Sequence, residues 1–462
     1  MSSGRRLVIV GGVAAGMSAA ARAKRLAPDL DVIVFERSGF CSYTACGLPY
    51  HVSGVIPDHR ALVMRTPQEF GRDGIAVHVR HEVIAIDPAA RTLRVRDLDG
   101  GAGPAEWTQS WDALVLATGA RPAGTGLPGA ALPGAFVLRT IEDARAIRGW
   151  IDERGARNAV VIGGGYIGLE MAEAFRALGL VTTVVEREPR VLPLVDADVA
   201  DTIEDELARQ GVEVRCGVAV EEIAGGDRVR AVGVGGGESI PADVVVIGVG
   251  VRPDSALAAA AGLERGPHGG IVVDARMRTS IDGIWAAGDC CETHHLLHDG
   301  PAYIPLGTTA NKQGRVAGTN VAGGDATFAG VLGTAVVKVC DLHVGRTGLG
   351  EHEARDAGFD AVGATITHLS RARYYPGHQP LLVKLVAERG SGRLLGGQLV
   401  GREGVAKRVD VVAAALHAGA TAEELSQYDL SYAPPFAPVW DPVLLAAREA
   451  AKRAAAVPEA VP

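Results

Sequence analysis

The chain has 462 residues, 47% of them hydrophobic, and a formal net charge of -8. This length exceeds what one hydrophobic core serves, so two or three domains are expected. The negative charge argues against nucleic acid or an anionic membrane as a partner, and charges or glycines interrupt every apolar run before it could span a membrane. With 6 cysteines and no signal-peptide pattern, we expect a cytoplasmic protein whose functional cysteine is catalytic or redox-active.

Residues 5–36 show the order strand, glycine turn, helix, strand. The turn GGVAAG at 11–16 follows an apolar strand and opens a helix of small residues, Ala14–Leu26, and the next strand ends in Glu36. Glycines let the backbone approach a pyrophosphate, the helix N-terminus offers N–H donors, and the acid is placed for a ribose hydroxyl. This predicts a dinucleotide site, although Val13 replaces the middle glycine, and an ordinary βαβ turn is the alternative.

A second glycine loop follows the pattern more closely. The segment AVVIGGGYIG at 159–168 is an apolar strand running into G-x-G-x-x-G, and a helix is predicted over 166–178. The strand after it ends in Glu186, an acid that favours NADH because it would repel the 2′-phosphate of NADPH. Arg187 and Arg190 follow closely, so the use of NADPH stays open.

Each loop is followed by a similar strand and turn. DALVLATGARP at 112–122 and DVVVIGVGVRP at 243–253 are both buried strands that enter a glycine turn. This repetition indicates a duplicated nucleotide-binding domain. IWAAGD at 284–289 then returns the chain to the first copy, so the second copy is predicted to be inserted into the first.

The pattern changes from about residue 330, where no phosphate loop is found. The predicted elements are strands at 336–339, 361–368 and 381–386 and a helix at Val405–His417. The predicted fold class is α/β, with two Rossmann-like three-layer domains and a C-terminal α+β domain. The predicted domains are 1–120 with 255–328, then 121–254, and then 329–462.

Together these segments resemble the pyridine nucleotide-disulfide oxidoreductase superfamily over essentially the whole chain. The resemblance is carried by the two loops, the two strand-to-turn segments, AGD at 287–289 and PLGTTANKQGR at 305–315. It implies FAD on the first domain, NADH or NADPH on the second, and a C-terminal domain that forms a homodimer and reaches into the partner's active site.

The resemblance also implies individual cofactor contacts. Those to FAD are Gly11, Gly12, Ala14, Gly16, Glu36, Arg37, Val83, Ala117, Thr118, Gly119, Gly288, Asp289, Leu306, Gly307 and Thr308. Those to the nicotinamide dinucleotide are Gly163, Gly165, Tyr166, Ile167, Gly168, Glu186 and Gly250. Asp289 would contact the ribityl chain, and residues 306–309 would cover the flavin pyrimidine edge at a helix start, whose dipole stabilises reduced flavin.

The segment SYTACGLPY at 42–50 resembles the single-cysteine branch, and most closely the coenzyme A-disulfide reductases. Further matches are GVAAG at 12–16, YYPG at 374–377, LSYAPPF at 430–436 and WDP at 440–442. The resemblance implies that Cys46 attacks a small-molecule disulfide and forms a mixed disulfide with coenzyme A. Its thiolate needs a depressed pKa, which a helix N-terminus and the flavin could supply. Whether Cys46 carries coenzyme A at rest is open.

The resemblance implies that tyrosines from the partner subunit give the departing thiolate a proton or a strong hydrogen bond. By the resemblance they are Tyr432 and Tyr374, and the alternative for each is a structural aromatic, in the case of Tyr374 half-buried at a sheet edge.

One helix face carries the positions that resemble coenzyme A contacts. Ser18, Arg22 and Arg25 fall one turn apart, and the arginines could pair with phosphates, although solvated surface arginines are the alternative. Substrate contacts are also implied for Ser42, Asn311 and Trp440. Ala45 departs from the asparagine of many such reductases, which removes a contact that could orient the thiol or coenzyme A.

Several alternatives remain. Cys41 and Cys46 have the spacing of an internal disulfide, as in the dithiol branch, but the C-terminal residues do not match that branch. An NADH oxidase or peroxidase would cycle Cys46 through sulfenic acid, although such enzymes typically carry histidine where Ala14 stands. A flavoprotein that passes electrons to a protein partner would not need Cys46. A non-enzymatic FAD-bound interaction protein would leave too many matched positions unexplained.

Other cysteines are expected to be structural. Cys290 and Cys291 with His294, His295 and His298 resemble a metal cluster, but we expect buried cysteines, histidines on a loop or short exposed helix, and no metal. Cys216 and Cys340 are expected in apolar strand cores.

Overall fold

The fold is that of a computed structural model, which describes residues 4–100, 104–298 and 300–456. The first segment contains β1 (Arg6–Val10), α1 (Ala14–Leu26), β2 (Asp31–Phe35), α2 (Leu48–Ser53), α3 (Pro67–Arg72), β3 (Ile75–His78), β4 (His81–Asp87), β5 (Thr92–Asp97), β6 (Glu106–Ser110) and β7 (Ala113–Leu116). The second contains β8 (Ala120–Pro122), β9 (Ala135–Phe136), α4 (Ile141–Arg154), β10 (Asn158–Ile162), α5 (Tyr166–Ala177), β11 (Val181–Val185), α6 (Ala197–Arg209), β12 (Val212–Arg215), β13 (Val220–Gly225), β14 (Val229–Val234), β15 (Glu238–Pro241), β16 (Val244–Ile247) and β17 (Val251–Pro253).

The chain continues with α7 (Ala256–Ala260), β18 (Ile284–Ala286), β19 (Thr293–His294), β20 (Pro301–Ala302) and α8 (Gly307–Val321). The last segment contains β21 (Ala335–Val339), β22 (Leu342–Gly348), α9 (Glu351–Asp356), β23 (Ala361–Leu369), β24 (Pro380–Glu388), β25 (Leu394–Gly401), α10 (Val405–His417), α11 (Ala422–Ser426) and α12 (Pro442–Ala455). The predicted helix Val405–His417 matches α10, whereas the predicted strands there are extended at one or both ends, because pairing with a neighbour carries a strand beyond its apolar stretch.

The first sheet is parallel, with strand order β18-β7-β1-β2-β3 and a fully apolar centre. Helices α1 and α8 pack closely over one face. A Cβ at Gly314 would lie 2.2 Å from the Ala15 carbonyl oxygen, and one at Gly318 would lie 2.4 Å from that of Ala19. Glycine is therefore required for this approach, which also brings the polar faces of the two helices together.

The second sheet repeats this arrangement in the order β12-β11-β10-β16-β9. In both sheets the strand before the glycine loop is central: β1 pairs with β2 and β7, and β10 pairs with β11 and β16. The chain rejoins the first sheet at β18, which pairs with β7. The predicted insertion of one doubly wound unit into another is therefore confirmed, and the exact domain boundaries stay a prediction.

The C-terminal sheet is antiparallel, with order β21-β22-β25-β24-β23, and α10 and α12 contribute to its apolar core. Its strands β21 and β22 also share a core with α5 of the second unit through Val337, Val339 and Phe175. The predicted α/β class with an α+β C-terminal domain is confirmed. No helix in the described part of the chain is long and apolar enough to cross a membrane.

A buried ion cluster joins the second unit to the C-terminal sheet. The Lys384 Nζ lies 3.0 Å from Asp196 Oδ2, 3.1 Å from Asp198 Oδ1 and 3.2 Å from Glu351 Oε2, and its side chain is 8% exposed. The two aspartates begin α6, whereas Lys384 lies on β24. The ammonium group therefore compensates three carboxylates at the interface between domains.

Replacing Lys384 with methionine should destabilise the protein by about 3 kcal/mol, because the partly buried carboxylates lose their cation. Urea unfolding of the cofactor-loaded protein would measure this. Lys407→Met is the matched control, because Lys407 is 93% exposed and lies 3.8 Å from its partner Asp410. An effect of Lys384→Met as small as that of the control would contradict the assignment.

Candidate active site

Both glycine loops have the same backbone geometry. Gly11 and Gly163 each have φ of 103°, and a Cβ would lie 2.1 Å from the Ala117 carbonyl oxygen in the first loop and 2.6 Å from that of Gly248 in the second. A side chain is excluded at both positions. Val13 is the N-cap residue of α1 and has φ of -108°, a value that does not require glycine. The absence of the middle glycine therefore does not change the turn. The two loops therefore fit two dinucleotides.

Each acid at the end of the second strand is tied to its loop. The Glu36 carboxylate accepts hydrogen bonds from the Gly12 and Ser38 amides, both at 2.7 Å. The Glu186 carboxylate accepts from the Gly164 amide at 2.6 Å and the Glu188 amide at 2.8 Å. Both acids are buried. Each is thus fixed beside a pyrophosphate-binding turn, where a ribose hydroxyl can donate to a remaining lone pair.

Cys46 lies in a 3-10 turn, Ala45–Gly47, directly before α2. The turn is tight, because a Cβ at Gly47 would lie 2.4 Å from Leu62 Cδ2. The residue is exposed, but surrounding protein desolvates its thiol on one side. This burial raises the pKa of the Cys46 thiol, as do the charges of Glu170 and Asp289, whereas Arg139 lowers it. The polypeptide alone therefore does not depress the pKa, contrary to the expectation for a reactive thiolate.

Glu170 is the carboxyl group with the largest effect on that thiol. It lies on α5 in the sequence GYIGLE and is itself partly buried. Burial, followed by repulsion from Glu173, raises the pKa of Glu170 to about 7. Sequence reasoning missed this residue, although its place one turn after the glycine loop was a usable signal.

Cys41 occupies a different environment from Cys46. It is 1% exposed, and its Sγ lies 3.6 Å from the Arg65 carbonyl oxygen. Burial, followed by repulsion from Glu36, raises the pKa of the Cys41 thiol to about 11. Both thiols are free. This arrangement favours one reactive cysteine over the internal disulfide.

The segment after β18 places a carboxylate next to an unsatisfied hydroxyl. Asp289 Oδ2 lies 2.7 Å from Arg139 Nη2. The Tyr303 hydroxyl is buried without a hydrogen-bond partner within the described residues, and burial followed by Asp289 raises the Tyr303 pKa. Helix α8 begins at Gly307, and its N-cap residue Leu306 provides no side-chain cap, so the first amides of the helix are available. These groups fit the polar side chain and pyrimidine edge of a flavin.

The other expected FAD contacts surround the first loop. Ala117, Thr118 and Gly119 follow β7, and the Thr118 hydroxyl donates to the Asp254 carbonyl oxygen at 2.6 Å. Arg37 is exposed directly after Glu36, and Val83 is buried on β4. Gly250, expected at the second nucleotide, has φ of 95° in the turn before β17.

Four of the predicted substrate positions lie along the contact between α1 and α8, and together with Arg315 they are here called the basic groove (Ser18, Arg22, Arg25, Asn311, Arg315). Ser18 Oγ donates to Asn311 Oδ1 at 2.7 Å, and Arg22 Nε donates at 3.0 Å to the hydroxyl of Thr319 on α8. Arg25 and Arg315 are exposed. The sequence analysis did not identify Arg315 as a site residue. It lies one turn after Asn311 on the face of α8 that meets α1.

The two predicted tyrosines meet on the C-terminal domain. Their hydroxyl oxygens lie 3.0 Å apart, and Tyr374 and Tyr432 are 75% and 44% exposed. The bond from Tyr374 raises the pKa of Tyr432. Beside them a cavity of about 270 Å³ is lined by His368 and Val439, among others. Tyr374 is therefore not a half-buried sheet-edge aromatic, and within the described chain neither hydroxyl bonds to the Cys46 turn.

The remaining two substrate positions lie on different parts of the chain, one beside the first glycine loop and one on the C-terminal domain. Ser42 precedes Cys46 with φ of 49° and donates its amide to the Gly12 carbonyl oxygen at 2.8 Å. Trp440 is 53% exposed, and the Arg448 guanidinium carbon lies 5.2 Å from the centre of its ring.

The cysteine and histidine cluster differs partly from expectation. Cys290 and Cys291 are buried as predicted, with their sulfurs 3.7 Å apart. The histidines match the expectation only in part. His298 lies on a loop as expected, but His294 ends strand β19, and His295 is 3% exposed and stacks on His298. His295 forms an isolated β-bridge with Val331, whereas His294 remains exposed. Among the described residues no group of three His, Cys, Asp or Glu side chains could hold a metal.

The buried His295 predicts a pH dependence of stability. Burial, followed by the charge of His298, lowers the His295 pKa to about 4, whereas the unfolded residue titrates near 6.5. The unfolded state therefore binds the proton first, and stability should fall by about 3 kcal/mol as the pH drops from about 6.5 to about 4. His295→Asn, which keeps an acceptor for the Leu297 amide, should flatten this slope in urea unfolding. The exposed His352→Asn should keep the wild-type slope, and equal slopes for both variants would refute the prediction.

Comparison with known proteins agrees with this geometry. Residues 5–314 match the model of the pyridine nucleotide-disulphide oxidoreductase family, and residues 334–442 match that of its dimerisation domain. The chain belongs to this family. Its members use FAD with NAD(P)H, so the chain is a flavoprotein oxidoreductase.

Relatives named for different activities match nearly the whole chain. An NAD(P)H sulfur oxidoreductase (CoA-dependent) of Pyrococcus abyssi is 42% identical over 446 residues, which is 96% of this chain and 98% of the relative. An NADH oxidase of Methanocaldococcus jannaschii is 37% identical, over 97% and 99% of the two chains. A coenzyme A disulfide reductase of Staphylococcus aureus is 31% identical, over 93% and 96%. The crystal structure of reduced CoADR-RHD from Bacillus anthracis superposes with a TM-score of 0.94 at 35% identity, over 98% of this chain and 81% of the other.

Proposed function

We propose that this flavoprotein reduces coenzyme A disulfide, or a related coenzyme A persulfide or polysulfide, through Cys46. The observation that carries the proposal is the basic groove in a chain in which, among the described cysteines, only Cys46 is exposed. Arg22, Arg25 and Arg315 offer guanidinium groups for the phosphates of coenzyme A, and the Ser18–Asn311 pair offers neutral hydrogen bonds. Relatives whose names include coenzyme A support the same substrate class.

The Cys46 thiolate attacks one sulfur of the disulfide, forms the mixed disulfide Cys46–S–S–CoA, and expels the other half as a coenzyme A thiolate. Bound FAD would supply the relay of an electron pair from nicotinamide to sulfur. With that pair and a proton, the mixed disulfide is cleaved to the Cys46 thiolate and a second coenzyme A thiol. Overall, one NAD(P)H, one proton and one disulfide give NAD(P)⁺ and two thiols.

The residues that would hold FAD are those of the first loop, Glu36, Asp289 and the start of α8. The second loop and Glu186 would hold the nicotinamide dinucleotide. Arg187 lies 2.9 Å from Glu188, and Arg190 pairs with Asp201, so the nearby cations are already matched by acids. This supports NADH over NADPH as the preferred reductant.

We infer a homodimer in which Tyr374 and Tyr432 of one subunit serve the Cys46 of the other. The pair is exposed, its hydroxyls are hydrogen-bonded, and the chain contains the family's dimerisation domain. One tyrosine donates a proton to the departing coenzyme A thiolate, and the second stabilises the resulting charge by a hydrogen bond.

The alternative is an NADH oxidase that cycles Cys46 through sulfenic acid, which the name of the M. jannaschii relative favours. The experiment is anaerobic NADH and NADPH oxidation by purified enzyme with coenzyme A disulfide, glutathione disulfide, polysulfide and then oxygen alone. Strong turnover with coenzyme A disulfide and little with glutathione disulfide supports the proposal. Fast turnover on oxygen with coenzyme A disulfide inert overturns it.

The basic groove gives a second arm to that experiment. Arg22→Gln and Arg315→Gln should each raise KM for coenzyme A disulfide about tenfold, because a charge-assisted bond to phosphate is lost. KM for NADH should stay unchanged. The exposed Arg145→Gln on α4 is the control. An unchanged KM in both groove variants would remove the groove from the substrate site.

A further inference from the structure

The two candidate tyrosines lie on irregular segments of the C-terminal domain. Tyr374 belongs to the loop 370–379 between β23 and β24, and Tyr432 belongs to the segment 427–441 between α11 and α12. Both segments are described in full and lie outside the helices and strands. The 3.0 Å contact between the two hydroxyls therefore depends on how each segment is anchored to the rest of the domain.

Arg408 bonds to both segments. It is buried on α10, and its Nε donates to Asp441 Oδ2 at 2.9 Å and to Oδ1 at 3.1 Å. Its Nη2 donates to the Ser370 carbonyl oxygen at 3.0 Å. Ser370 begins the loop of Tyr374, and Asp441 ends the segment of Tyr432. One guanidinium therefore joins an end of each segment, a geometry that needs its planar fork of donors.

The Ser370 end is closed by further hydrogen bonds. The Ser370 amide donates to the Gln379 carbonyl oxygen at 2.8 Å, and the Ser370 hydroxyl accepts from the Gln379 amide at 3.0 Å. The same hydroxyl donates to the Glu403 carboxylate, which also accepts from Arg371 Nε at 2.9 Å. Because these bonds close the neck of the loop, the position of Ser370 sets where the whole loop leaves the sheet.

The Asp441 end is fixed in a similar way. Asp441 is buried, and as the N-cap of α12 its Oδ1 also accepts from the Val443 amide at 3.0 Å. Nearer the tyrosines, the Ala372 amide donates to the Pro434 carbonyl oxygen at 3.3 Å, a longer bond between the two segments. Arg408 thus supplies the buried, charge-assisted connection on which the relative position of the two segments depends.

We propose that Arg408 is a positioning residue that holds Tyr374 and Tyr432 together, so that their hydroxyls act as one unit on the thiolate that leaves the disulfide. The inference rests on the proposed function, in which these hydroxyls serve that thiolate. In this step the Cys46 thiolate bonds to one sulfur and the S–S bond breaks. Its electron pair leaves with the second coenzyme A sulfur, which takes a tyrosine proton, and the phenolate regains a proton from water.

The test measures how fast FAD-loaded enzyme with free thiols forms the Cys46–S–S–CoA adduct, by acid quenching and mass spectrometry. Two substrates are compared. Coenzyme A disulfide expels a coenzyme A thiolate, whereas the mixed disulfide of coenzyme A with thionitrobenzoate expels an aromatic thiolate of low pKa, which leaves without a proton. Because the adduct is the same, a difference between the substrates reports on the departing thiolate.

Arg408→Lys should slow adduct formation from coenzyme A disulfide about tenfold, because an ammonium group lacks the fork that reaches both segments. The rate from the thionitrobenzoate substrate should change by less than about twofold. Added to the double variant Tyr374→Phe and Tyr432→Phe, Arg408→Lys should cause no further loss. Arg389→Lys is the matched control, because Arg389 also bonds a carboxylate and two carbonyl oxygens, but at the opposite end of β24.

Equal slowing with both substrates would overturn the inference, because it would indicate a general loss of structure. If Arg408→Lys fails to fold, Asp441→Asn decides: asparagine keeps the cap of α12 but removes the charge pair, and a wild-type rate with coenzyme A disulfide would overturn the inference. A wild-type rate in the double tyrosine variant would refute the tyrosine role in the proposed function, and the inference with it. A wild-type rate in Arg408→Lys alone would overturn the inference and leave that role intact.

Discussion

Replacing Cys46 with serine should lower kcat for anaerobic, NADH-dependent reduction of coenzyme A disulfide on the order of 10⁴-fold, because the attacking sulfur and the mixed disulfide are both lost. A serine hydroxyl is the closest isostere, and the side chain is exposed, so folding and FAD content should be unchanged. The measurement is NADH absorbance at saturating coenzyme A disulfide, with bound FAD quantified for each preparation. Full activity in the variant would support transfer of electrons to a protein partner without the thiol.

Cys41→Ser is the matched control for this prediction. Because Cys41 is 1% exposed and bonds the Arg65 carbonyl oxygen, the variant should keep turnover within about threefold. A loss as large as that of Cys46→Ser would indicate a catalytic dithiol. Cys216→Ser provides a second control, since Cys216 is half-buried after β12 and lies 3.6 Å from Glu204 Oε1.

Replacing both Tyr374 and Tyr432 with phenylalanine should lower kcat with coenzyme A disulfide about 100-fold or more, the size expected for loss of a positioned general acid. Both rings are retained, and the hydroxyls are exposed, so stability should change little. The single variants should be non-additive, because the hydroxyls share one hydrogen bond of 3.0 Å. The measurement is steady-state turnover, with Tyr428→Phe as the control in the same domain.

Mixed dimers can identify the subunit that each tyrosine serves. In a heterodimer of Cys46→Ser with the double tyrosine variant, action across the interface leaves one site with both its cysteine and its tyrosines. That heterodimer should recover about half of the wild-type activity. If the tyrosines act within their own subunit, both sites are defective and no activity returns. The second result would contradict the proposed arrangement while leaving the role of Cys46 intact.

The local patterns of the sequence were sufficient for much of the fold. The sequence patterns for the glycine loops at 11–16 and 163–168, for the acids Glu36 and Glu186 and for Cys46 each span a few tens of residues at most. Their geometry follows from backbone conformation, because only glycine has room at Gly11 and Gly163. The family resemblance added the placement of Tyr374 and Tyr432, which no local pattern could pair.

Tertiary structure alone decided the electrostatics of the site. The Arg139–Asp289 pair joins residues 150 apart, and Arg315 enters the groove only because α8 packs on α1. The Cys46 pKa is raised because neighbours from several elements desolvate the thiol, and packing of the same kind buries Cys41 and His295. Sequence spacing determines which residues can lie on one turn or face; the charge state of a thiol or imidazole depends on every group that the fold packs around it.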